Sequence, residues 1–445
     1  MSKPAMTLVL RTLTDRLAQS RAITDQLFAI IHPTSFYRRP IPERHRIVFY
    51  LGHLEAFDWN LLVSRHFGLP SVLQEFDNLF AFGIDPMDGG LPVDQISDWP
   101  AVAEIERYNH RVRHRLDLAL ARATSHHEGS AREAQPLETL LNVAIEHRLM
   151  HAETLAYMLH RLPYDCKRAQ EKDVSPATSP PARPHTVRIP EGTAVLGLPR
   201  EPSGTFGWDN EFSQHKVNVP AFEIDAYNVT NGEFLAFVRE GGYRERSFWT
   251  DAGWEWITGR SIVHPRFWAQ VGDSWCYRTM FSEIPLPADW PVYVSHAEAS
   301  AYARWAGKLL PTEAQWQRAA YGVPEGAECG YPWGDQPPSR DLGNFGFFHW
   351  DPVPVNAYPK ARSAFGVAGL LGNGWEWTST VFGPLPGFRS FDFYPGYSAN
   401  FFDGKHYVLK GGSSRTAACM LRRSFRNWFQ PHYAYLYATF RCVSH

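Results

Sequence analysis

Gly372-Asn373-Gly374-Trp375-Glu376-Trp377-Thr378 sets two indoles and a carboxylate directly behind a Gly-x-Gly step. Glycines at this density permit close backbone turns, and indoles alternating along a short extended run can fill the space between loops. Blocks of the same character lie on either side: Pro311-Thr312-Glu313-Ala314-Gln315-Trp316, Tyr331-Pro332-Trp333-Gly334-Asp335, Lys410-Gly411-Gly412-Ser413 and Ala438-Thr439-Phe440-Arg441-Cys442-Val443. Trp316, Trp333, Trp375 and Trp377 therefore read as packing residues and not as catalytic ones. Between these blocks the periodic runs are short. Only stretches such as 295–306 and 313–320 carry a helical pattern, so most of this half is expected to be short strands and ordered loops.

Upstream of residue 170 the composition is different. Residues 7–161 read as long helices, clearest at 137–162, where Leu140, Leu141, Ala144, Ile145, Leu149, Leu155, Met158 and Leu159 recur at three- and four-residue spacing. Between the two halves, EKDVSPATSPPARP cannot propagate a helix and offers little apolar surface. The organisation expected is a helical bundle over 1–170, a Pro/Ser-rich linker over 171–185 and a loop-rich domain over 186–445. A length of 445 residues suits two or three units, and 44% hydrophobic against 20% charged residues argues for a folded chain.

The charge sum is −2 and no long Lys/Arg run occurs, which removes the electrostatic footprint of a nucleic-acid or anionic-membrane partner. The apolar run at 6–10 is too short for a signal or spanning segment. Five scattered cysteines, Cys166, Cys276, Cys329, Cys419 and Cys442, form neither a disulfide framework nor a CxxC zinc site. A reducing cytoplasm fits this usage, with one odd thiol left over.

The clearest chemical signal lies inside the 137–162 helix. His147 and His151 in Glu146-His147-Arg148-Leu149-Met150-His151-Ala152-Glu153 are four residues apart, so both imidazoles leave one helix face and can chelate one ion. Such a pair also occurs on helix surfaces without a metal. His53, in the apolar run Val48-Phe49-Tyr50-Leu51-Gly52-His53-Leu54-Glu55-Ala56-Phe57, is a third candidate on a second core-facing helix, or else a satisfied core histidine. Three neutral imidazoles from two helices would leave open positions on a ferrous ion for substrate and dioxygen. His126 and His127, in a polar loop, read as solvated.

The blocks quoted from the second half resemble the formylglycine-generating-enzyme fold. The resemblance implies a C-type-lectin-like α+β domain with little regular structure. That family has two copper-binding cysteines downstream of Gly-Gly-Ser; counted from Ser413 they fall at Thr416 and Leu421, so copper chemistry is not implied. A DinB-like four-helix bundle ahead of such a domain resembles the EgtB family of sulfoxide synthases of ergothioneine and ovothiol biosynthesis. There the metal ligands are one histidine of a Leu-Gly-His segment and two of His-x-x-x-His-x-Glu, which fall on His53, His147 and His151. In Phe425-Arg426-Asn427-Trp428, the resemblance implies that Asn427 and Trp428 hold a histidine betaine; the alternative is that Arg426 and Trp428 only stabilise the last loops. A tyrosine serves as proton donor in the family. Tyr394 and Tyr397 are the nearest matches, and Tyr394 is preferred.

The activity so implied is Fe(II)- and O2-dependent joining of sulfur, or selenium, to the imidazole of hercynine or a histidine derivative. Several positions depart from the family pattern. Met150 stands where a glutamine helps place the imidazole, and Phe429 where an acidic residue follows Asn-Trp. Phe76-Asp77-Asn78-Leu79-Phe80 replaces a Tyr-Tyr stretch, and Pro86-Met87-Asp88-Gly89-Gly90 lacks the arginines that grip γ-glutamylcysteine. A polyanionic peptide needs cationic anchors, so cysteine or another small thiol or selenol is the expected co-substrate. The competing readings are an iron oxygenase acting on another small amine and a non-catalytic module in which metal staples the bundle while the lectin-like loops bind a ligand.

Overall fold

The computed structural model divides into two units, Met1–Glu171 and Lys172–His445. It describes residues 3–81, 91–125, 136–168, 182–200, 205–325 and 328–444. Most of the expected linker (171–181), the Pro86 to Gly90 stretch, and His126 and His127 lie outside the described residues.

The first unit is helical: α1 (Lys3–Ala29), α2 (Ile47–Asp58), α3 (Gln74–Leu79), α4 (Val102–Ser125) and α5 (Leu137–Arg161). The periodic run read at 137–162 is α5, and the apolar run around His53 is α2. α1 packs along α5 and touches α4, while α2 packs on both α4 and α5. Every residue of α2 except Phe57 is buried, as expected of a helix that is apolar on nearly all sides. α2 continues into a π-helical stretch, Trp59–Phe67, which ends at Gly68 in the left-handed conformation.

A buried ionic cluster pins these helices together. Arg148 of α5 donates to Glu55 at 3.0 Å, to Asp58 at 2.7 Å and to the Leu54 carbonyl at 3.0 Å, all on α2. Arg113 of α4 adds a second guanidinium, 2.8 Å from Glu55. Burial pushes the Glu55 carboxyl up, but Arg148 and Arg113 override it and bring it down to about 2.

The second unit mixes short strands with four short helices among the described residues: β1 (Thr186–Ile189), β2 (Gly192–Leu196), β3 (His215–Val219), β4 (Phe222–Asp225), α6 (Asn231–Arg239), α7 (Asp251–Gly259), β5 (Trp268–Val271), β6 (Ser274–Arg278), β7 (Glu283–Pro285), α8 (His296–Trp305), α9 (Glu313–Tyr321), β8 (Gly374–Val381), β9 (Tyr407–Gly412), β10 (Asn427–Phe429), β11 (Ala438–Thr439) and β12 (Val443–Ser444). The sequence blocks assemble one sheet, ordered β10-β9-β8-β11. Gly374 pairs with Gly412 and Trp375 with Gly411, so the Gly-Trp-Glu-Trp and Lys-Gly-Gly blocks lie side by side, and Thr439 pairs with Glu376 on the other edge.

Glu376 is the residue on which three blocks converge. Its carboxylate takes a bidentate grip from Arg441 at 2.7 and 2.8 Å and a third bond from the Trp316 indole at 2.8 Å. Thr312 and Gln315 explain the start of the Pro-Thr-Glu-Ala-Gln-Trp block: they form a capping box at the head of α9. Ser295 and Glu298 do the same for α8. Gly372 has φ +87, and a Cβ there would sit 2.6 Å from the Asn344 carbonyl, which requires glycine. Trp316 and Trp377 are fully buried, Trp375 nearly so, and Trp333 stacks on Tyr331 with centroids 5.6 Å apart. All four are packing residues. The five cysteines are free thiols. Among the described residues no helix is long and apolar enough to cross a membrane.

Candidate metal centre

α2 and α5 bring His53, His147 and His151 together, with one ligand atom from each lying within 4.8 Å of the others. Nε2 of His147 and Nε2 of His151 are 3.1 Å apart. Imidazole–metal bonds of about 2.0–2.1 Å at right angles put two nitrogens about 3 Å apart, so the spacing fits one ion held by both. All three side chains are buried. Burial, with smaller contributions from neighbouring positive groups, holds the His53 pKa down to about 4 and those of His147 and His151 well below the usual imidazole value. The rings are thus neutral at pH 7, the form that ligates metal.

Two of the rings are held from behind, His53 by a hydrogen bond and His147 by stacking. His53 Nδ1 donates to the Phe80 carbonyl at 2.7 Å, which puts the proton on Nδ1 and leaves Nε2 buried with a free lone pair and no hydrogen-bond partner. His147 lies flat on Phe57, with centroids 3.5 Å apart and planes 11° apart, and His53 stacks on Phe49 at 4.8 Å. Phe49, His53 and Phe57 are spaced by four along α2, so one helix face supplies a ligand and its two aromatic walls. Three nitrogen donors with apolar walls suit a transition metal and leave coordination positions for further ligands.

Gly52 makes this arrangement possible. A Cβ there would fall 2.6 Å from the Phe80 ring, so only glycine lets the segment whose carbonyl orients His53 lie against α2. Gly52→Ala should gain helix propensity of about 1 kcal/mol and lose about 1–3 kcal/mol to overpacking. Displacing the Phe80 carbonyl should weaken metal binding by about 10- to 100-fold, the usual cost of losing a supporting bond behind a ligand. Competition titration with a metal-chelating dye measures this, and an unchanged affinity would remove Phe80 from the role.

The other residues singled out from sequence are placed as follows. Met150 is half-buried on α5, next to His151. Phe76 and Phe80 pack on Tyr108, whose phenol donates to Asp77 at 2.6 Å. In the second unit Asn427, Trp428 and Phe429 are the three residues of β10, all half-buried. Trp428 stacks on Phe382 at 4.2 Å, and Phe429 stacks on Tyr433 at 5.2 Å. Arg426 is buried in a bidentate pair with Glu313 at 2.8 and 3.0 Å. The Tyr397 and Trp428 rings stand nearly perpendicular with centroids 5.4 Å apart, and Tyr394 lies 5.6 Å from Tyr397. Thr416 and Leu421 are buried; Thr416 accepts a bond from the Ser413 amide at 2.8 Å.

Sequence reasoning assigned no role to the Phe80 carbonyl, to Phe57 or to the Arg148–Glu55–Asp58 cluster. The spacing of Phe49 and Phe57 about His53 was the available signal for the aromatic walls.

Residues 170–445 match the sulfatase-modifying factor enzyme 1-like domain. The chain belongs to that family. It is also 41% identical over 307 residues, 65% of this chain, to hercynine oxygenase of Mycolicibacterium thermoresistibile. It is 42% identical over 52% of its length to hercynine oxygenase of Mycobacterium tuberculosis, and 29% identical over 91% to ergothioneine biosynthesis protein 1 of Neurospora crassa. These matches span 65%, 55% and 54% of the relatives' own lengths, respectively. The resemblance to EgtB-type proteins drawn from the motifs is borne out by these relatives.

Proposed function

We propose that this protein is a non-heme Fe(II)- and O2-dependent sulfoxide synthase, with a DinB-like four-helix bundle as its metal-holding unit. It joins a small cysteine-like thiol, not γ-glutamylcysteine, to the imidazole of hercynine or a related histidine derivative, as in ergothioneine biosynthesis. The observation that carries this reading is the gathering of three neutral imidazoles, His53, His147 and His151, between aromatic walls. The names of the relatives supply the acceptor.

Bound Fe(II) would supply electron transfer to O2 and open positions for the reactants. The overall change balances as thiol plus imidazole C–H plus O2 giving the sulfoxide and one water. The chain's own part is placement and proton handling. The Asn427 amide can fix the carboxylate of a betaine, and the Trp428 face can attract its quaternary ammonium. Met150 and Phe429 present apolar surface where the family pattern has an amide and an acid, which favours a small, weakly charged thiol over a polyanionic peptide. Tyr394 is proposed as the proton donor. A reducing cytoplasm, which keeps both the thiol and the five free cysteines unoxidised, is the proposed compartment.

With Fe(II) loaded, O2 uptake should require hercynine and cysteine together, and mass spectrometry should find a product containing both. A product without added sulfur, or O2 uptake independent of thiol, would overturn the synthase reading; a selenium-containing product from a selenol alone would redirect it to the selenium-forming relative.

A further inference from the structure

The segment around Tyr394 and Tyr397 is held by a turn nearly two hundred residues earlier in the chain. Trp208 lies flat on Tyr397, with ring centroids 3.9 Å and planes 21° apart, and also approaches Phe391 and Tyr394 at 6.4 and 6.5 Å. The next residue, Asp209, accepts a hydrogen bond from the Ser398 hydroxyl at 2.5 Å and another from the Phe391 backbone N–H. Two consecutive residues therefore grip the segment at both ends of the stretch containing the two tyrosines. Inside it the chain closes on itself: Tyr394 N–H donates to the Phe391 carbonyl at 3.0 Å and Tyr397 N–H to the Tyr394 carbonyl at 3.3 Å. Fixing Phe391 and Ser398 thus fixes what lies between them.

The Asp209 carboxyl is an expensive group to place here. It is 1% exposed, and its Oδ2 is buried with no hydrogen-bond partner among the described residues. A chain that needed only to close this loop could do so with an amide or a hydroxyl. The charged groups around it are engaged elsewhere or face solvent: Arg422 grips Glu211 on Asp209's own turn, while Arg389 and Asp392 of the segment are exposed. The other titratable side chains of residues 389–401, Tyr394 and Tyr397, are half-buried.

We infer that Asp209 is a positioning residue for the tyrosine segment: its carboxyl group ties Phe391 to Ser398, and with Trp208 stacked on Tyr397 it keeps Tyr394 and Tyr397 in a fixed place, Tyr397 against Trp428. The consequence for turnover rests on Tyr394, or its neighbour Tyr397, being the proton donor proposed above; the tie itself does not.

Burial raises the Asp209 carboxyl to about 6, against the partial opposition of the Ser398, Asn210 and Phe391 bonds. A carboxyl whose pKa is higher when the segment is held than when it is released favours the held form at low pH, and that preference fades as pH rises through about 6. A rise from 3.8 to about 6 corresponds to roughly a hundredfold more segment opening at pH 7.5 than at pH 4.

Hydrogen–deuterium exchange on the full chain tests this, using peptides covering residues 389–401 and correcting for intrinsic exchange. The wild type should show the pH-dependent opening. Asp209→Asn, which keeps an oxygen acceptor but cannot titrate, should hold the segment with that extra pH dependence gone. Asp209→Ala and the milder Ser398→Ala should open it at every pH, and Asp209→Ala should lower kcat about tenfold or more with KM for the thiol little changed. Should Asp209→Ala not fold, the Asn and Ser398 variants carry the test. Exchange at 389–401 that is the same in all variants, or a pH dependence that persists in Asp209→Asn, would overturn the inference. Loosening of the segment with unchanged turnover supports the tie and instead removes the tyrosines from proton delivery.

Discussion

His147→Ala should leave the chain folded and abolish stoichiometric metal binding. The side chain lies flat on Phe57 and points Nε2 at His151 from 3.1 Å, so its removal takes away one of three donors and opens a small cavity worth about 1–3 kcal/mol of stability. A first ligand should cost more than a supporting bond behind one, so the loss of affinity should exceed about a hundredfold. His53→Ala and His151→Ala should behave alike, because Nε2 of His53 is buried with no hydrogen-bond partner among the described residues and His151 is the second member of the α5 pair. Metal analysis after dialysis at pH 7.5 measures it. A variant that still holds one equivalent would remove the three-histidine centre and the synthase reading with it. Acid should act in the same direction. A histidine held from 6.5 down to about 4 when folded stabilises the metal-free chain by about 3 kcal/mol above pH 6.5, and that contribution is lost as pH falls through 4. Metal occupancy should therefore persist at pH 6 and collapse towards pH 4, as protons compete for His53 and then for its neighbours.

What the sequence made legible follows periodicity. The apolar spacing over 137–162 placed α5 to within a residue, and two histidines four apart on it had to share a face. His53 was readable as a core position, but its meeting with α5 was not, because periodicity says which face is buried and not which helix covers it. Arg148 illustrates the limit. It sits among apolar residues where a charged side chain has no local reason to be, and its partners Glu55 and Asp58 are more than ninety positions earlier or close to it. Phe80 was harder still, since it acts through its carbonyl and a backbone atom carries no signature in the residue type. In the second unit the tryptophan blocks were correctly read as packing, yet nothing in their spacing revealed that Glu376, Arg441 and Trp316 share one carboxylate. Asp209 escaped notice because an acid in a loop-rich stretch ordinarily lies in water.

Glu376→Ala should be among the most damaging single changes in the second unit. Glu376 and Arg441 are both fully buried. Loss of the carboxylate strands a guanidinium in the interior, with only the carbonyls of Asp225, Ala226 and Ala368 to receive its protons. Breaking one side of such a pair costs about 3–5 kcal/mol, against a total of about 5–15 kcal/mol for an ordinary domain. The same change frees the Trp316 indole, which loses its bond to Glu376 inside the core it shares with Leu370, Leu371 and Val443. Glu376→Gln keeps an acceptor for one donor and should cost less than the alanine variant. Pairing Glu376→Leu with Arg441→Met removes both charges and should recover part of the loss; full recovery is not expected, because three backbone carbonyls lose their donor. Urea unfolding followed by tryptophan fluorescence distinguishes these cases, and a Glu376→Ala midpoint within about 1 kcal/mol of wild type would show that the three blocks are held together by packing alone and not by their shared carboxylate.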